Sequence, residues 1–274
     1  MPSPVITAPS APLARSALTP PESGAADGTI GLQMSAVDAT SVAARVAGLD
    51  WRAIEESLWD RGYAKTASFL APDECAALIR LYGDEGRFRS RIDMARYRFG
   101  LGEYKYFAHP LPPLVQALRA AFYPRLAPIA NRWEEALGTR TRYPQALDDL
   151  LALCARHGQE KPTPLLLRYA AGGYNCLHQD LYGAVAFPLQ LTCFLSRRGT
   201  DYDGGEFLLL EQRPRAQSRG EAIQTDQGEI VIFTTRHRPL AAARGHARAT
   251  MKHGVSRVHR GSRFTLGVIF HDAA

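Results

Sequence analysis

The sequence predicts an α+β fold in which a helical N-terminal half packs on a C-terminal double-stranded β-helix, or jelly roll. Apolar residues recur with helical spacing between about residues 36 and 157, whereas short β-type runs separated by turn residues follow Pro164. Several short strands in succession, with few helices between them, are typical of a jelly roll. We therefore expect a tail at residues 1–35, a helical region at 36–160 that supports the core, and a jelly-roll domain at 161–274.

The first segment, residues 1–35, is rich in Pro, Ala, Ser, Thr and Gly, and large apolar residues are scarce before Ile30. Such a segment buries too little apolar surface to offset the entropy that ordering would cost. We expect it to be a disordered tail.

Helices are predicted through most of the second segment. One carries Ile54, Leu58 and Trp59 on a single face and ends at Gly62. Another follows Pro72-Asp73, whose carboxylate suits a helix N-terminus. The remaining helices are expected from Leu114 to Leu137, interrupted at Pro124 and Pro128, and from Pro144 to His157, before Gly158.

Short strands are predicted in the third segment. Leu165 to Tyr169 is an apolar run that precedes the turn sequence Ala-Ala-Gly-Gly, as expected of a buried strand. Further β-type runs lie between Gly, Asp and Arg-rich turns, at Val185 to Leu195, Gly205 to Glu211, Gly228 to Thr234, Thr250 to Val258 and Arg263 to His271.

The composition of the 274-residue chain, 46% hydrophobic and 22% charged, is that of a soluble globular enzyme or binding protein. No apolar run approaches the ~20 residues that cross a bilayer. Residues 1–10 also lack the basic start and apolar stretch of a secretory signal. We therefore expect a cytoplasmic protein with no membrane partner. Its cysteines lack the spacing of a zinc or redox motif and are expected to be reduced, mostly buried thiols: Cys75, Cys154, Cys176 and Cys193.

The chain is basic, with a formal net charge of +6 and an isoelectric point of about 9.3. Such a balance favours polyanionic partners, because neutralising phosphates releases counterions. The basic residues are overwhelmingly Arg rather than Lys, a bias that genome composition alone produces. Nucleic acid is therefore a candidate partner that the charge does not establish, and the sequence gives no oligomeric state.

The segment Leu177-His178-Gln179-Asp180 contains a candidate metal site. In an extended chain residues two apart point to the same face, so His178 and Asp180 can offer a nitrogen and an oxygen to one ion. A lone His-x-Asp pair is common by chance, but His253 follows later in the β-rich half. Two His and one carboxylate form the facial triad of non-haem Fe(II) oxygenases, which leaves positions open for a 2-oxo acid and O2. We predict that these three residues bind the metal and form the catalytic centre.

Arg263 is a candidate anchor for an acidic cosubstrate. If a strand begins there, Arg263, Thr265 and Gly267 share one face, and a guanidinium and a hydroxyl project together beside the metal. Such a pair suits a dicarboxylate whose far end needs a bidentate, charge-assisted clamp, and Gly267 would keep that wall shallow. The competing candidates, which fall in the turn region, are Arg257 and Arg260.

With these residues the sequence resembles the 2-oxoglutarate/Fe(II) oxygenase superfamily. That superfamily has a His-x-Asp pair, a distal His and, further on, an Arg followed at the second position by Ser, Thr or Asn. Two other stretches match it. Tyr202 to Phe207 looks like the Gly-Gly-Glu turn and strand of its prolyl-hydroxylase branch, and Gln227 to Phe233 looks like the strand that precedes the distal His.

Within the superfamily, Leu167 to Gly172 followed by His178-Gln179-Asp180 is similar to the AlkB-type dealkylases. There a Tyr nine residues before the first metal His hydrogen-bonds 2-oxoglutarate, and Tyr169 has that spacing. Two features depart from the dealkylase pattern: Leu167 stands where the dealkylases have Asn, and no second Arg follows Arg263 in its strand. As a whole, the chain looks like a group of bacterial oxygenases described as acting on damaged nucleic acid.

The resemblance implies that the cofactors are Fe(II), 2-oxoglutarate and O2. It implies a dioxygenase that hydroxylates a substrate C–H bond while 2-oxoglutarate is decarboxylated to succinate. On an N-methyl group the product falls apart to formaldehyde and the free base, whereas on an unactivated carbon the alcohol remains.

The segment from Arg87 to Gly100 is a candidate substrate-binding region, because it interleaves five Arg with three aromatic residues. Arg contacts phosphates and aromatic rings stack bases. The simpler interpretation is a loop or helix whose Arg side chains face water or pair with acids. Downstream, Gly100 and Gly102 suit a mobile lid or ordinary turns, and Tyr104 and Tyr106 could line the pocket.

Three hypotheses about function remain open at this level. The first is oxidative dealkylation of a nucleic-acid base, supported by the basic character and by Tyr169. The second is hydroxylation of a peptidyl or free amino acid or another small molecule, supported by the Gly-Gly-Glu turn and by the departures from the dealkylase pattern. The third, a catalytically dead jelly-roll binding module, is disfavoured by the retained ligands and Arg263. A cupin-like iron enzyme that does not use 2-oxoglutarate is also disfavoured, because Arg263 and Thr265 would then have no cosubstrate to bind.

Overall fold

The structure is a computed structural model that describes residues 39–180 and 183–274. The predicted tail at residues 1–35 lies outside the described residues. Within these ranges the α-helices all precede the predicted jelly-roll region, and none is long and apolar enough to cross a membrane. They are α1 (Ala39–Ala47), α2 (Trp51–Arg61), α3 (Pro72–Leu81), α4 (Pro113–Ala136) and α5 (Leu147–Arg156).

Helix α2 begins and ends where local sequence signals place its termini. The side chain of Asp50 accepts a hydrogen bond from the backbone N–H of Ala53, which satisfies a free donor of the first turn. At the other end Gly62 adopts a left-handed conformation and its N–H donates to the carbonyl of Leu58. The predicted end of this helix at Gly62 is confirmed.

Helix α4 runs without a break through Pro124 and Pro128, so the predicted interruptions are wrong. Pro128 has no N–H to donate to the carbonyl four residues earlier, which is that of Pro124. The side-chain amide of Gln145 donates to that carbonyl instead, at 2.7 Å. A contact from outside the helix therefore compensates for the missing backbone bond, and the local sequence around the prolines does not contain it.

The described residues form two antiparallel sheets. The larger, here the major sheet, has the order β1-β11-β7-β14-β5-β4-β2, with β8 also paired to β14. Its strands are β1 (Tyr63–Lys65), β2 (Phe88–Asp93), β4 (Glu103–Phe107), β5 (Leu165–Ala170), β7 (Leu189–Phe194), β8 (Tyr202–Gly204), β11 (Ile230–Thr234) and β14 (Val258–Val268).

The second, the minor sheet, has the order β10-β9-β13-β6-β3, with β12 also paired to β13. Its strands are β3 (Gly100–Leu101), β6 (Tyr174–His178), β9 (Phe207–Gln212), β10 (Arg219–Ile223), β12 (His237–Ala241) and β13 (His246–Val255). The prediction of a fold that mixes helices with mostly antiparallel short strands is confirmed.

The first half of the described chain contains strands as well as helices. The strand β1 pairs with β11, β4 pairs with both β2 and β5, and β3 pairs with β6. Each sheet therefore contains strands from both sides of the boundary predicted near residue 160. The segment 87–107, which was interpreted as a loop, a helix or a mobile lid, contributes three strands. The division of the chain into three segments stays a prediction.

The core has two parts. A large cluster joins α4 residues such as Leu118 and Phe122 to major-sheet residues such as Leu191 and Leu266, so the helices cover one face of that sheet. A smaller cluster joins the two sheets through side chains such as Phe194 of β7 and Phe207 of β9. Three cysteines are buried free thiols and Cys176 is exposed, in agreement with the prediction. The sheets thus enclose a space between them, and it contains the candidate site.

Candidate active site

The predicted metal ligands meet between the sheets. His178 is the last residue of β6, and His253 lies opposite it on the neighbouring strand β13. Asp180 follows two residues after β6 ends. Its Oδ2 atom lies 3.2 Å from Nε2 of His253, and its Oδ1 atom lies 3.5 Å from Nε2 of His178. One potential ligand atom from each of the three side chains lies within 4.8 Å of the others.

The imidazole and the carboxylate are both oriented by neighbouring groups. Nδ1 of His178 lies 2.8 Å from the backbone carbonyl oxygen of Cys176, which favours a proton on Nδ1 and leaves Nε2 free to bind a metal. Oδ2 of Asp180 accepts a hydrogen bond of 2.8 Å from the side-chain amide of Gln190. Gln190 is buried on β7, so the major sheet positions a ligand that the minor sheet supplies.

The carboxylate is ionised in this setting. Burial alone would raise the pKa of Asp180, but the charge and hydrogen bonds of His253 and His178 outweigh it, and the pKa lies well below its ordinary value. Burial lowers the pKa of His253, although Asp180 opposes that shift. Two nitrogen donors and one anionic oxygen are therefore presented together, the donor set of a facial-triad iron.

Two aromatic side chains surround His253. Its ring centroid lies 4.8 Å from that of Phe233, in an edge-on arrangement, and 6.1 Å from that of Phe207, in a stacked one. Both phenylalanines also line the cavity that contains the ligands. They restrict rotation of the imidazole and keep this side of the site apolar.

Arg263, the predicted anchor, is 1% exposed on β14. None of its three guanidinium nitrogens has a hydrogen-bond partner among the described residues. Its carbon Cζ lies 5.3 Å from the ring centroid of Phe194 and 5.6 Å from that of Tyr169. Burial lowers the pKa of Arg263 from its ordinary value, against the opposing influence of Tyr202. A buried cation without an ion pair is costly, so this side chain needs an anion that enters the cavity.

The other two predicted cosubstrate residues lie beside Arg263. Tyr169 is opposite it across β5 and β14, and Thr265 is two residues further along β14, on the same face. The hydroxyl of Tyr169 is buried and has no partner among the described residues. Burial raises the pKa of Tyr169 to about 12, so its hydroxyl keeps its proton and can donate a hydrogen bond.

The metal ligands and the cosubstrate residues line one cavity of about 370 Å³, a volume in the range of small-molecule sites. As predicted, Tyr104 and Tyr106 are part of its wall. Gly267 also lines it, but a Cβ atom there would meet the Leu165 side chain at 2.6 Å. This glycine therefore makes room for Leu165, another wall residue.

The competing arginines are outside the cavity. Arg260 is exposed and donates to the carboxylate of Asp203, and Arg257 is not among the lining residues. Among the residues that the structure describes, Arg263 is thus the one that combines burial, lack of an ion pair and access to the triad.

Sequence reasoning missed Gln190. The signal was present, since a glutamine between Leu189 and Leu191 is unexpected in a strand that is otherwise apolar on both faces. Gln179, between the two ligands of the His-x-Asp pair, was also missed. Its amide donates to the backbone carbonyls of Met251 and Arg236, at 2.8 and 3.0 Å, and so joins the end of β6 to β13.

Comparison with known proteins agrees with this geometry. Residues 102–273 match the model of a protein family described as "Oxygenase, catalysing oxidative methylation of damaged DNA". The matched region contains all three candidate metal ligands and Arg263. The uncharacterised protein Rv2227 of Mycobacterium tuberculosis is 50% identical over 168 residues, which are 61% of this chain and 72% of that protein.

A solved structure has a similar fold. The crystal structure of a prolyl-4-hydroxylase from Pseudomonas putida superposes with a TM-score of 0.50 over 82% of this chain and 99% of that one. The two sequences are 17% identical, so the likeness concerns the fold alone.

Proposed function

The chain belongs to the oxygenase family whose model it matches, and from that premise we propose that its substrate is an alkylated base in nucleic acid. The enzyme is an oxidoreductase that uses Fe(II), 2-oxoglutarate and O2. The observation that carries the iron and cosubstrate assignment is the pairing, in one cavity, of the triad His178, Asp180 and His253 with the buried cation of Arg263, which has no hydrogen-bond partner among the described residues. The nucleic-acid substrate is supported by the description of the family and by the aromatic wall of the cavity.

We assign the iron to the triad, because its three side chains offer the donor types and the proximity that such a site needs. Iron bound there supplies the oxidising chemistry that inserts one oxygen atom of O2 into a C–H bond as 2-oxoglutarate becomes succinate and CO2. Gln190 holds the carboxylate of Asp180 in place, and Cys176 fixes the ring of His178 through its carbonyl. These contacts keep the ligands oriented before any substrate arrives.

We assign the far carboxylate of 2-oxoglutarate to Arg263. A bidentate ion pair with the guanidinium would neutralise a charge that is otherwise buried without a partner. Tyr169 and Thr265 present hydroxyl groups on the same wall of the cavity. Both can hydrogen-bond a carboxylate, and a hydroxyl that stays protonated, like that of Tyr169, does so as a donor.

The remaining wall suits a flat, aromatic substrate. Tyr104 and Tyr106 face the cavity with their ring centroids 5.4 Å apart in an edge-on arrangement. Leu165, Leu167 and Ile269 add an apolar surface that excludes water from the site. An aromatic base can pack on such a wall, with its alkyl group directed towards the triad.

Oxidation of an N-methyl group on such a base removes the methyl group. One oxygen atom enters the methyl C–H bond, and the resulting N–CH2OH group breaks its C–N bond. The carbon leaves as formaldehyde, and the nitrogen keeps a proton from the hydroxyl. The other oxygen atom is retained in succinate, so each base repaired consumes one O2 and one 2-oxoglutarate.

Hydroxylation of an amino acid, free or in a peptide, is the second candidate. The apolar side chain of Leu167 in the cavity wall favours it, because this residue offers a base no hydrogen bond. The two candidates differ in their products: a hydroxylated aliphatic carbon keeps its oxygen, whereas an N-methyl group yields formaldehyde.

The test is turnover of single-stranded oligonucleotides that carry an N-methylated base, with succinate and formaldehyde measured together. We expect equal amounts of both from the wild type and neither from His253→Ala. The control is His259→Ala, which removes an exposed histidine outside the cavity and should leave turnover unchanged. Hydroxylation of a peptide or amino acid without any formaldehyde from the oligonucleotides would overturn the proposed substrate.

A further inference from the structure

The exposed large hydrophobic residues of the described chain are concentrated at the mouth of the cavity. They are Tyr97, Phe99, Leu101 and Leu177, and each is at least 40% exposed. Phe99 and Leu177 belong to the cavity wall, and Leu101 lies on β3, which pairs with the strand that carries Leu177. Exposed apolar groups collected in one place indicate a binding surface rather than chance exposure.

The two aromatic residues of this surface form a stack. The ring centroids of Tyr97 and Phe99 lie 5.5 Å apart, and their planes are inclined by 20°. Tyr97 is 56% exposed and Phe99 46%. Because the rings stack on each other while staying this exposed, flat faces remain available to a ligand.

The arginines next to these rings have no ion pair. Arg96 and Arg98 are exposed and have no acidic partner among the described residues, although they alternate with Tyr97 and Phe99 along the chain. Other arginines of the same segment behave differently: Arg87 pairs with Asp84, and Arg91 pairs with Glu103. The simpler interpretation, in which the arginines of this segment face water or pair with acids, covers both groups: Arg87 and Arg91 pair, whereas Arg96 and Arg98 face water at the mouth, where an anionic ligand can reach them.

The backbone at Arg98 is in the left-handed region, with a φ of 59°. It closes the short 3-10 turn Met94–Tyr97, and its N–H donates to the carbonyls of Ala95 and Met94. Glycine suits such a position best, because it has no Cβ to clash. Arg98 keeps this conformation at some conformational cost, and it also lines the cavity, so its side chain is placed at the cavity mouth.

The stacked rings of Tyr97 and Phe99, here the platform, are fixed to the strand that carries a metal ligand. The backbone N–H of Cys176 donates to the carbonyl of Phe99 at 2.8 Å, and Gly100 lies opposite Asn175 on β6. A Cβ atom at Gly100 would lie 2.3 Å from the carbonyl oxygen of Tyr174, so glycine is needed for this close approach. The distance from the rings to His178 is thus set by the β3–β6 pairing.

From these observations we infer that Tyr97 and Phe99 stack the bases next to the one in the cavity, while Arg96 and Arg98 contact the adjoining phosphates. The inference rests on the proposed function, since it takes nucleic acid as the substrate. Aromatic faces beside unpaired arginines are the features that bind single strands, where every base has a free face. In a duplex the neighbouring bases are covered by their own stack, so the preferred substrate is single-stranded.

The direct test is binding of an unmodified single-stranded oligonucleotide to the full chain, loaded with Fe(II) and 2-oxoglutarate without O2 and followed by fluorescence anisotropy. We expect Tyr97→Leu and Phe99→Leu each to weaken binding by about tenfold, because a stacked base is lost. Tyr97→Phe keeps the ring and should bind like the wild type. A matched duplex should bind more weakly than the single strand.

The arginines are tested by the dependence of the same affinity on salt. Removing one phosphate contact makes the logarithmic slope shallower by about 0.7 for a single strand, so we expect that change for Arg96→Gln and for Arg98→Gln. The control is Arg244→Gln, in the turn between β12 and β13, which also removes an exposed arginine that has no ion pair within residues 39–180 and 183–274. Its slope should equal that of the wild type.

The outcomes separate this inference from the proposed function. If methylated oligonucleotides are repaired but the leucine variants bind and turn over normally, the platform is refuted and the function stands. If unmodified strands bind through the rings but no methylated base is repaired, the platform stands and the substrate assignment fails. Affinity that survives in Tyr97→Leu and Phe99→Leu would also refute stacking, because leucine keeps the apolar area and lacks the aromatic face.

Discussion

The side-chain amide of Gln190 donates a hydrogen bond of 2.8 Å to the carboxylate of Asp180, and this contact joins the two sheets at the metal site. The strand β7 of Gln190 belongs to the major sheet, whereas Asp180 follows a strand of the minor sheet. The orientation of one metal ligand therefore depends on how the sheets face each other.

Replacement of Gln190 by Leu is expected to weaken Fe(II) binding by about 10- to 100-fold, as is usual when the group that orients a ligand is lost. Leucine keeps most of the volume, so the fold should persist. The measurement is an anaerobic metal titration. The control is Gln227→Leu, which removes an amide that donates to the carbonyl of Leu195 outside the cavity. Equal iron affinity in Gln190→Leu and wild type would show that Asp180 does not need this contact.

Replacement of Arg263 by Leu should have opposite effects on binding and on stability. The affinity for 2-oxoglutarate should fall by at least about 2 kcal/mol, or roughly 30-fold, because its carboxylate loses a buried ion pair. In the absence of 2-oxoglutarate, the free energy of unfolding should stay the same or rise, since a buried cation without a partner has been removed. Denaturant unfolding and ligand titration measure the two effects.

Arg260→Leu is the matched control for this prediction. Arg260 is exposed, and its partner is Asp203 at the surface. Neither the affinity for 2-oxoglutarate nor the free energy of unfolding should therefore change by more than about 0.5 kcal/mol. A large loss of stability in ligand-free Arg263→Leu would contradict the view that Arg263 is an unpaired buried cation until an anion binds.

His271 gives a prediction about pH. It is fully buried, its Nδ1 atom accepts a hydrogen bond from the N–H of Phe187, and burial, aided by Arg119, lowers its pKa to about 4. In the unfolded chain this histidine has an ordinary pKa of about 6.5, so between the two pKa values it is protonated in the unfolded chain and neutral in the folded protein. Stability is therefore lost as the pH falls from about 6.5 towards about 4, by up to about 3 kcal/mol from this residue.

The measurement is the free energy of unfolding across that pH range for the wild type and for His271→Gln. Glutamine can still accept from Phe187 but does not titrate, so the curve of the variant should be flatter. His259→Gln, at an exposed position, should keep the slope of the wild type. A variant as steep as the wild type would place the acid sensitivity in other groups.

The sequence contained enough to predict which residues share a face at the candidate site. His178 and Asp180 are two residues apart, and Arg263 and Thr265 are two residues apart, so the two-residue period of an extended chain placed each pair on one face. These relationships are local. The structure brings the two pairs into one cavity, together with His253.

Relationships between distant parts of the chain were harder to predict. The short strand β1 is stabilised by β11, more than 160 residues later, and its own sequence resembles many loops. The continuity of α4 depends on Gln145, which lies beyond the helix that it completes. In the same way, the sequence shows Gln190 as a polar residue in an apolar strand. Its hydrogen bond to Asp180 could not be predicted, because it depends on how the two sheets pack.

The measurement that tests the account most directly is an anaerobic titration of the protein with Fe(II) and 2-oxoglutarate. A 2-oxo acid chelated to a facial-triad iron gives a weak visible absorption band at about 500 nm. We expect that band in the wild type and its loss in His178→Ala. Arg263→Leu should show it only at far higher 2-oxoglutarate concentrations. A wild-type protein that binds no iron, or that develops the band equally well without Arg263, would contradict the assignment of this cavity.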